Sequence, residues 1–331
     1  MQPVHIVAEA ATTHAGSVEA ARRLIDMAKR CGADSVKFQI INPEGLYLPV
    51  IWTGETAEPN PAIAMRRAEQ LPESAYRELA DHGREAGIPV SASVFDTGGL
   101  ALLKTLDPPY VKIASTDLDN HGLLRAAAGS GLPMLLSTGM ATLDEVVEAV
   151  AVVDGTGNKA LTLLHCTSVY PCPPDLLNMA FMDVLRSRFD CSIGFSDHSR
   201  TPTAAVMAVA KGAAVIEKHV TLNRAAPGPD NANAMDEDQF SAYVAAIREA
   251  EAAMGPREPK VGEAEASVAS RARRSLYAAR ALRAGEVVTE ADLLVVRPAG
   301  PAAPPDLARL LGRKLKADVP QYRPVTPESV A

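Results

Sequence analysis

A (β/α)8 barrel followed by a small β-rich domain is the fold this 331-residue sequence predicts. Three observations carry that prediction. Short apolar, β-branched runs alternate with amphipathic helical patterns through most of the chain. The alternation gives eight strand–helix units in roughly 250 residues, the count and length of a closed barrel. Nearly every strand-like run ends in polar side chains, the place where such barrels carry their chemistry. A doubly wound open sheet shares the first two features, because periodicity does not say whether a sheet closes.

The strand candidates, in order, are 5–10 (HIVAEA), 35–40 (SVKFQI), 89–94 (PVSASV), 110–115 (YVKIAS), 133–139 (PMLLSTG), 160–166 (ALTLLHC), 191–197 (CSIGFSD) and 213–220 (AAVIEKHV). Helical patterns lie between them, among them SVEAARRLIDMAKRCG, ESAYRELADHGREAG and TLDEVVEAVAVVDG, and DEDQFSAYVAAIREAEAAMG follows the last strand. Several open on Ser, Thr or Asp and close on Gly, the expected caps, and Thr142 before LDE reads as a helix start. Residues 41–70, with the only tryptophan, Trp52, and Tyr47, read as a long loop that either covers the site or is an ordinary surface excursion. These elements fill a first domain, 1–255. Residues 256–274 have no apolar period and are rich in Gly, Pro and charge, hence a linker. Residues 275–331 read as short strands joined by turns at RAGE and PAGPAAPP.

Composition narrows the function. Hydrophobic residues at 47% supply a sizeable core, and 22% charged residues with a net charge of -7 describe an ordinary soluble surface. No basic block or basic–aromatic interleaving points to nucleic acid. No stretch is long and apolar enough for a bilayer span, and no leader peptide is visible, so a cytoplasmic protein is expected. Cys31, Cys166, Cys172 and Cys191 form no CxxC pair and read as free thiols in a reducing compartment. An acidic chain that binds an anion must concentrate its lysines locally.

The strand ends gather candidate groups. Side chains alternate along a strand, so Lys37 shares a face with Gln39, Ser196 with His198, and Glu217 with His219. Glu9, Ser93, Lys112, Ser115, Asp117, Ser137, Thr138 and His165 stand at the other ends. A single histidine there is more often a hydrogen-bonded structural residue than a ligand. Two on adjacent strands, about 4.8 Å apart, are close enough to grip one ion and suit a catalytic divalent metal with open positions. Lys37 and Lys112 sit inside apolar runs, where an unpaired lysine is rarely buried. They are either salt-bridged to Glu9 or Glu217, or a cationic floor for an anionic substrate. Ser137-Thr138-Gly139 before a helix suits a phosphate or carboxylate, and is equally an ordinary cap. Cys166 beside His165 is a poor nucleophile pair, since neighbours on a strand face opposite ways. Asp197 reads as orienting a histidine or capping the next helix.

The motifs IVAEAATTHAGS, SVKFQ, VKIASTD, LLSTGMATLDE, LLHCTSVYP, GFSDHS, VIEKHVT and PGPD occur in this order, and RRSLYAARALRAGEVVTEADLLVVRP follows. Together they resemble the sialic acid synthase family, whose members make N-acetylneuraminic, legionaminic and pseudaminic acids. The last segment resembles that family's antifreeze-like (SAF) domain. The resemblance covers essentially the whole chain. It implies condensation of phosphoenolpyruvate with an open-chain N-acyl hexosamine, releasing phosphate. It implies a metal held by His198 and His219, Mn²⁺ first, with Mg²⁺ or Co²⁺ as the other candidates. It places Lys37, Gln39, Ser93, Lys112, Ser115, Ser137 and Ser196 at phosphoenolpyruvate. Glu9, Tyr170 and Asp230 fall at the sugar, with Glu9 and Asp117 among the catalytic groups. Arg297 falls where a partner's swapped SAF domain reaches the sugar's acyl group, implying a homodimer.

Some positions depart from the family pattern. Asp117 stands for a Glu, Ser168 for an Asn and Thr13 for an Asn, and the loop after Arg297-Pro298 is the proline-rich AGPAAPPD. The departures fall on the acceptor side. They leave the acceptor open between N-acetylmannosamine and a related mono- or di-acetamido sugar. Two other readings of the residues stand beside this one: a metal-dependent barrel aldolase or hydrolase acting on another sugar, and a non-catalytic carbohydrate-binding protein.

Overall fold

The strands run in chain order as β1 (His5–Ala11), β2 (Ser35–Ile40), β3 (Val50–Thr53), β4 (Thr56–Pro59), β5 (Val90–Val94), β6 (Val111–Ile113), β7 (Met134–Ser137), β8 (Leu161–Cys166), β9 (Ser192–Asp197), β10 (Val215–His219), β11 (Ser275–Ala278) and β12 (Leu293–Val296). They come from a computed structural model that describes residues 3–255 and 261–331. Eight of them close into a barrel in the order β1-β10-β9-β8-β7-β6-β5-β2. Because β1 pairs in parallel with both β2 and β10, the sheet has no edge, and the open-sheet alternative falls. A first compact unit ends at Gly255 and the remainder forms a second.

Alternation along each strand builds two cores. Ile6, Ala8, Val36, Phe38, Ile193, Phe195 and Ile216 point outward and pack under the surrounding helices. Val7, Tyr110, Leu135, Leu164 and Val215 point inward and plug the barrel. One step further along the same strands, the inward positions become Glu9, Lys37, Ser137, Cys166, Ser196 and Glu217, and the plug gives way to a polar mouth. Gly194 belongs to the inner layer. A Cβ there would lie 2.5 Å from the Val215 carbonyl oxygen and 2.6 Å from Leu164 Cδ2, so no side chain fits.

The helix caps follow the sequence. Thr142 and Glu145 form a reciprocal capping box on the helix Leu143–Asp154, and Asp236 with Gln239 does the same for Glu237–Met254. Residues 41–70 are not a loop. They fold as two short helices, Pro43–Leu46 and Pro61–Glu69, around the antiparallel hairpin β3–β4. The hairpin escaped detection because it buries almost nothing: Trp52 is 65% exposed and Ile51 46%, so no in–out pattern marks it.

Residues 256–260 of the predicted linker lie outside the described residues. Beyond them, Glu263–Ala272 is a helix with no buried residue, which is why no apolar period announced it. The second unit pairs β11 antiparallel to β12 and adds single bridges such as Leu282 to Val319 and Leu315 to Val330. Its own core holds Leu276, Leu282, Leu293, Leu310 and Val325. No described helix is long and apolar enough to cross a membrane.

Overpacking a filled core costs about 1–3 kcal/mol. Gly194→Ala is therefore expected to lower unfolding free energy by about that much in urea titration of the purified protein, with the strand content unchanged by circular dichroism. A wild-type midpoint would contradict the close packing under the mouth.

Candidate active site

The barrel's C-terminal mouth opens on a cavity of about 260 Å³. Barrel strands or the segments that follow them supply its walls: Glu9, Lys37, Gln39, Ser93, Lys112, Ser115, Ser137, Cys166, Ser196, Glu217 and His219, with Tyr170, His198, Ser168, Thr116 and Met140 at the rim. Strand register brings them together. Glu9 lies opposite Lys37 on one side and His219 on the other, and Glu217 lies opposite Ser196.

The floor is a run of alternating charges. Lys37 Nζ lies 2.5 Å from Glu9 Oε2 and 3.6 Å from Glu217 Oε2, and donates to Ser93 Oγ at 2.8 Å. Lys112 Nζ donates to Glu217 Oε1 at 3.0 Å, and Ser196 Oγ donates to the same oxygen at 2.9 Å. Gln39 Nε2 donates to Glu9 Oε1 at 3.2 Å. The two readings of the lysines therefore coincide: both are ion-paired, and both line the cavity. Burial alone would push both carboxyls up. At Glu217 the ammonium groups of Lys112 and Lys37 outweigh it and hold the group well below the usual carboxylate range. At Glu9 burial, together with the Glu217 charge, outweighs Lys37 and pushes it up to about 7. The pair thus splits into one firmly ionised carboxylate and one that exchanges a proton near neutrality.

His198 and His219 have ring centroids 5.8 Å apart. His198 Nδ1 lies 2.8 Å from the Thr167 carbonyl oxygen, which only accepts, so Nδ1 is the donor of that bond and Nε2 is the ring nitrogen left for another partner. His219 is fully buried; burial first, then the neighbouring lysines, pushes it down to about 3, so it is a neutral imidazole. Its Nδ1 has no hydrogen-bond partner among the described residues. These are the properties of ligand imidazoles. Two ring radii and two bonds of about 2.1 Å span up to about 6.5 Å, so the separation is one that a single ion held by both rings would fit. No group of three or more His, Cys, Asp or Glu among the described residues is placed to hold a metal by itself. An ion here would keep open positions, as catalytic sites do. Tyr170 roofs the pair, its ring centroid 3.9 Å from that of His198.

Other expected residues fall on both sides of the line. Ser115 Oγ accepts from the Gly139 N–H at 3.0 Å, and a Cβ on Gly139 would reach to 2.9 Å of that oxygen, so the approach requires glycine. Ser137 Oγ is buried without a partner among the described residues. Thr138 is committed elsewhere: its N–H and hydroxyl both bond to the Leu164 carbonyl, at 3.0 and 3.2 Å. Asp117 does not line the cavity; its carboxylate accepts from Thr116 Oγ1 at 2.8 Å and Asn120 Nδ2 at 3.4 Å. Asp230 also stands outside the lining, on the loop after β10, where burial raises its pKa against the pull of Arg66. Arg297 follows β12 in the second unit and is exposed. His14 is buried on Phe38, its pKa pushed down to about 4 by burial, and does not line the cavity.

One expectation is corrected. Asp197 touches no histidine ring and does not cap the next helix, Thr203–Ala210: it faces away from the mouth and accepts from the Ser199 N–H at 2.7 Å and Tyr243 Oη at 2.8 Å. Cys166 is a buried free thiol, as expected, and it faces the cavity with Sγ 3.8 Å from His198 Nδ1. His165 points the other way, its Nε2 2.7 Å from the Leu177 carbonyl oxygen. Glu217 is the residue most undervalued from sequence. Its position two before His219 already placed it on the inner face.

A family model described as the NeuB family matches residues 24–259, and one described as the SAF domain matches 273–331. An N,N'-diacetyllegionaminic acid synthase from Legionella pneumophila is 33% identical, over 95% of this chain and 91% of its own. A pseudaminic acid synthase from Campylobacter jejuni is 33% identical, over 96% of this chain and 93% of its own. The crystal structure of N-acetylneuraminic acid synthetase from Leptospira borgpetersenii in complex with citrate superposes with a TM-score of 0.73 at 31% identity, covering 81% of this chain and 90% of that one.

Removing one member of a buried ion pair leaves an uncompensated charge, at about 3–5 kcal/mol. Lys37→Met is expected to lose stability on that scale in urea unfolding, and the double variant Lys37→Met/Glu9→Gln to recover part of it. Equal stability of the single variant and wild type would contradict the ladder.

Proposed function

The chain belongs to the NeuB family, and from that premise we propose that it is a phosphoenolpyruvate-condensing synthase. Its second substrate is an open-chain N-acyl hexosamine, N-acetylmannosamine or a related mono- or di-acetamido sugar, and its product is a 2-keto-3-deoxy nonulosonic acid. One observation carries the reading beyond family membership: two buried ammonium groups and two neutral-capable imidazoles converge on one cavity. An enol phosphate needs the first pair and a polarised aldehyde the second.

His198 and His219 would hold a divalent cation, Mn²⁺ before Mg²⁺ or Co²⁺, which would supply Lewis-acid polarisation of the sugar aldehyde. Lys37 and Lys112 hold the phosphate and carboxylate of phosphoenolpyruvate, with Ser93, Ser115, Ser137, Ser196 and Gln39 as hydrogen-bonding neighbours. C3 of phosphoenolpyruvate attacks the aldehyde carbon, water adds at C2, and phosphate leaves from the resulting tetrahedral carbon. Glu9, poised near neutrality, donates or accepts the proton at the sugar oxygen. Tyr170 covers the acceptor side, where Ser168 leaves room for a larger substituent than an Asn would. Asp230 and Asp117 act from behind the lining. Arg297 reaches the acyl group from a partner's second unit, so the working form is a homodimer. The enzyme acts in the cytoplasm, the compartment that four free thiols suit.

The test is phosphate release from phosphoenolpyruvate with a panel of N-acyl hexosamines, with mass spectrometry for the new keto acid. Release only with a sugar present, lost on chelation and in His219→Ala, is the expected result. Lys112→Ala should raise KM for phosphoenolpyruvate far more than KM for the sugar, and Arg297→Ala the reverse. Phosphate-free cleavage of a sugar would favour the aldolase or hydrolase reading instead.

A further inference from the structure

We propose that Asp197, Lys218 and Tyr243 form a buried clasp that sets the spacing of His198 and His219, and so act as positioning residues for the metal pair; this rests on the metal reading above. The clasp lies on the outer face of the barrel, behind the histidines. Asp197 immediately precedes His198, and Lys218 immediately precedes His219. The two are register partners on β9 and β10. Lys218 Nζ lies 3.4 Å from Asp197 Oδ2 and donates to the carbonyl oxygens of Asp197, at 3.2 Å, and of Ser199. Those two carbonyls flank His198 in the chain. The neighbour of one histidine therefore grips the backbone on both sides of the other. Tyr243, on the helix Glu237–Met254, closes the unit: its hydroxyl donates to Asp197 Oδ2, and its ring centroid lies 5.4 Å from Lys218 Nζ.

Stability alone does not account for these residues. The side chains of Lys218 and Asp197 are 1% and 0% exposed. Burying such a pair costs as much as it returns, and an apolar pair of similar volume holds a core at least as well. The other outward positions nearby, Ile193, Phe195 and Ile216, are apolar for that reason. The best-attested use of a buried charge pair is to fix a register. Two side chains that share one ion need their backbones fixed within about 0.5 Å, and the clasp is the direct tie between the two strand ends.

The experiment is calorimetric titration of the full-length, metal-stripped protein with Mn²⁺, alongside its thermal midpoint without metal. Asp197→Asn/Lys218→Met removes both charges together and is expected to fold with a midpoint near wild type, while its Kd for Mn²⁺ rises about 10- to 100-fold. Tyr243→Phe keeps the ring and the charge pair and is expected to weaken Mn²⁺ about fivefold, the worth of one hydrogen bond. Tyr243→Phe decides alone if the double variant does not fold. Wild-type Mn²⁺ affinity in folded variants overturns the clasp and leaves the metal reading standing, as does a lowered midpoint with unchanged affinity. Failure of the wild type itself to take up Mn²⁺ overturns both.

Discussion

Four charges share the floor of one cavity: Glu9, Lys37, Glu217 and Lys112. Their mutual attraction is the constraint on which the rest of the mouth depends. None is more than 5% exposed, and a buried charge without a partner is among the costliest features a core can carry. Each member is tolerable only because closure of the barrel brings the others to it. Glu9 and Lys37 sit on neighbouring strands, but Lys112 and Glu217 are 105 residues apart and meet across the interior. The cluster and the closed sheet therefore stand or fall together.

The same electrostatics divides labour between chemically similar groups. Glu217, held by two ammonium groups and a serine hydroxyl, stays ionised. Glu9, equally buried but with one close ammonium group and the Glu217 charge beside it, is pushed up to about 7. The imidazole of His219 is kept neutral by burial and by the lysines beside it. Ser137 Oγ and His219 Nδ1 are buried with no partner among the described residues. Buried polar atoms are ordinarily satisfied, so unfilled ones at a cavity wall mark where a ligand completes the network. The mouth is preorganised, with its donors and charges in place before anything binds.

Each strand does two jobs at once. Its outward residues pack under helices and its inward ones change from apolar plug to polar floor within two residues. On β9 and β10 the outward side is itself charged at one level, where Asp197 and Lys218 meet Tyr243 directly behind the two histidines. The excursion between β2 and β5 follows a different logic. Its hairpin is held by backbone pairing with little burial, and Trp52 and Tyr47 do not line the cavity.

Much was legible in the sequence because it is governed by local rules. The eight strands came from short β-branched runs, the helix starts from Thr142 and Asp236, and the inward face of Lys37, Gln39, Glu217 and His219 from the period of two. Ordered motifs such as GFSDHS and VIEKHVT carried the family resemblance. What the linear order did not contain was adjacency across the barrel. Periodicity leaves closure undecided, so it did not show that Lys112 reaches Glu217, that Cys166 rather than His165 faces the cavity beside His198, or that Asp197 turns outward to Lys218 and Tyr243. Nor did it show that Asp117 and Asp230 stand behind the lining. Pattern along a chain reports which face a side chain takes, whereas which groups share a charge or a proton depends on distances that only the closed sheet sets.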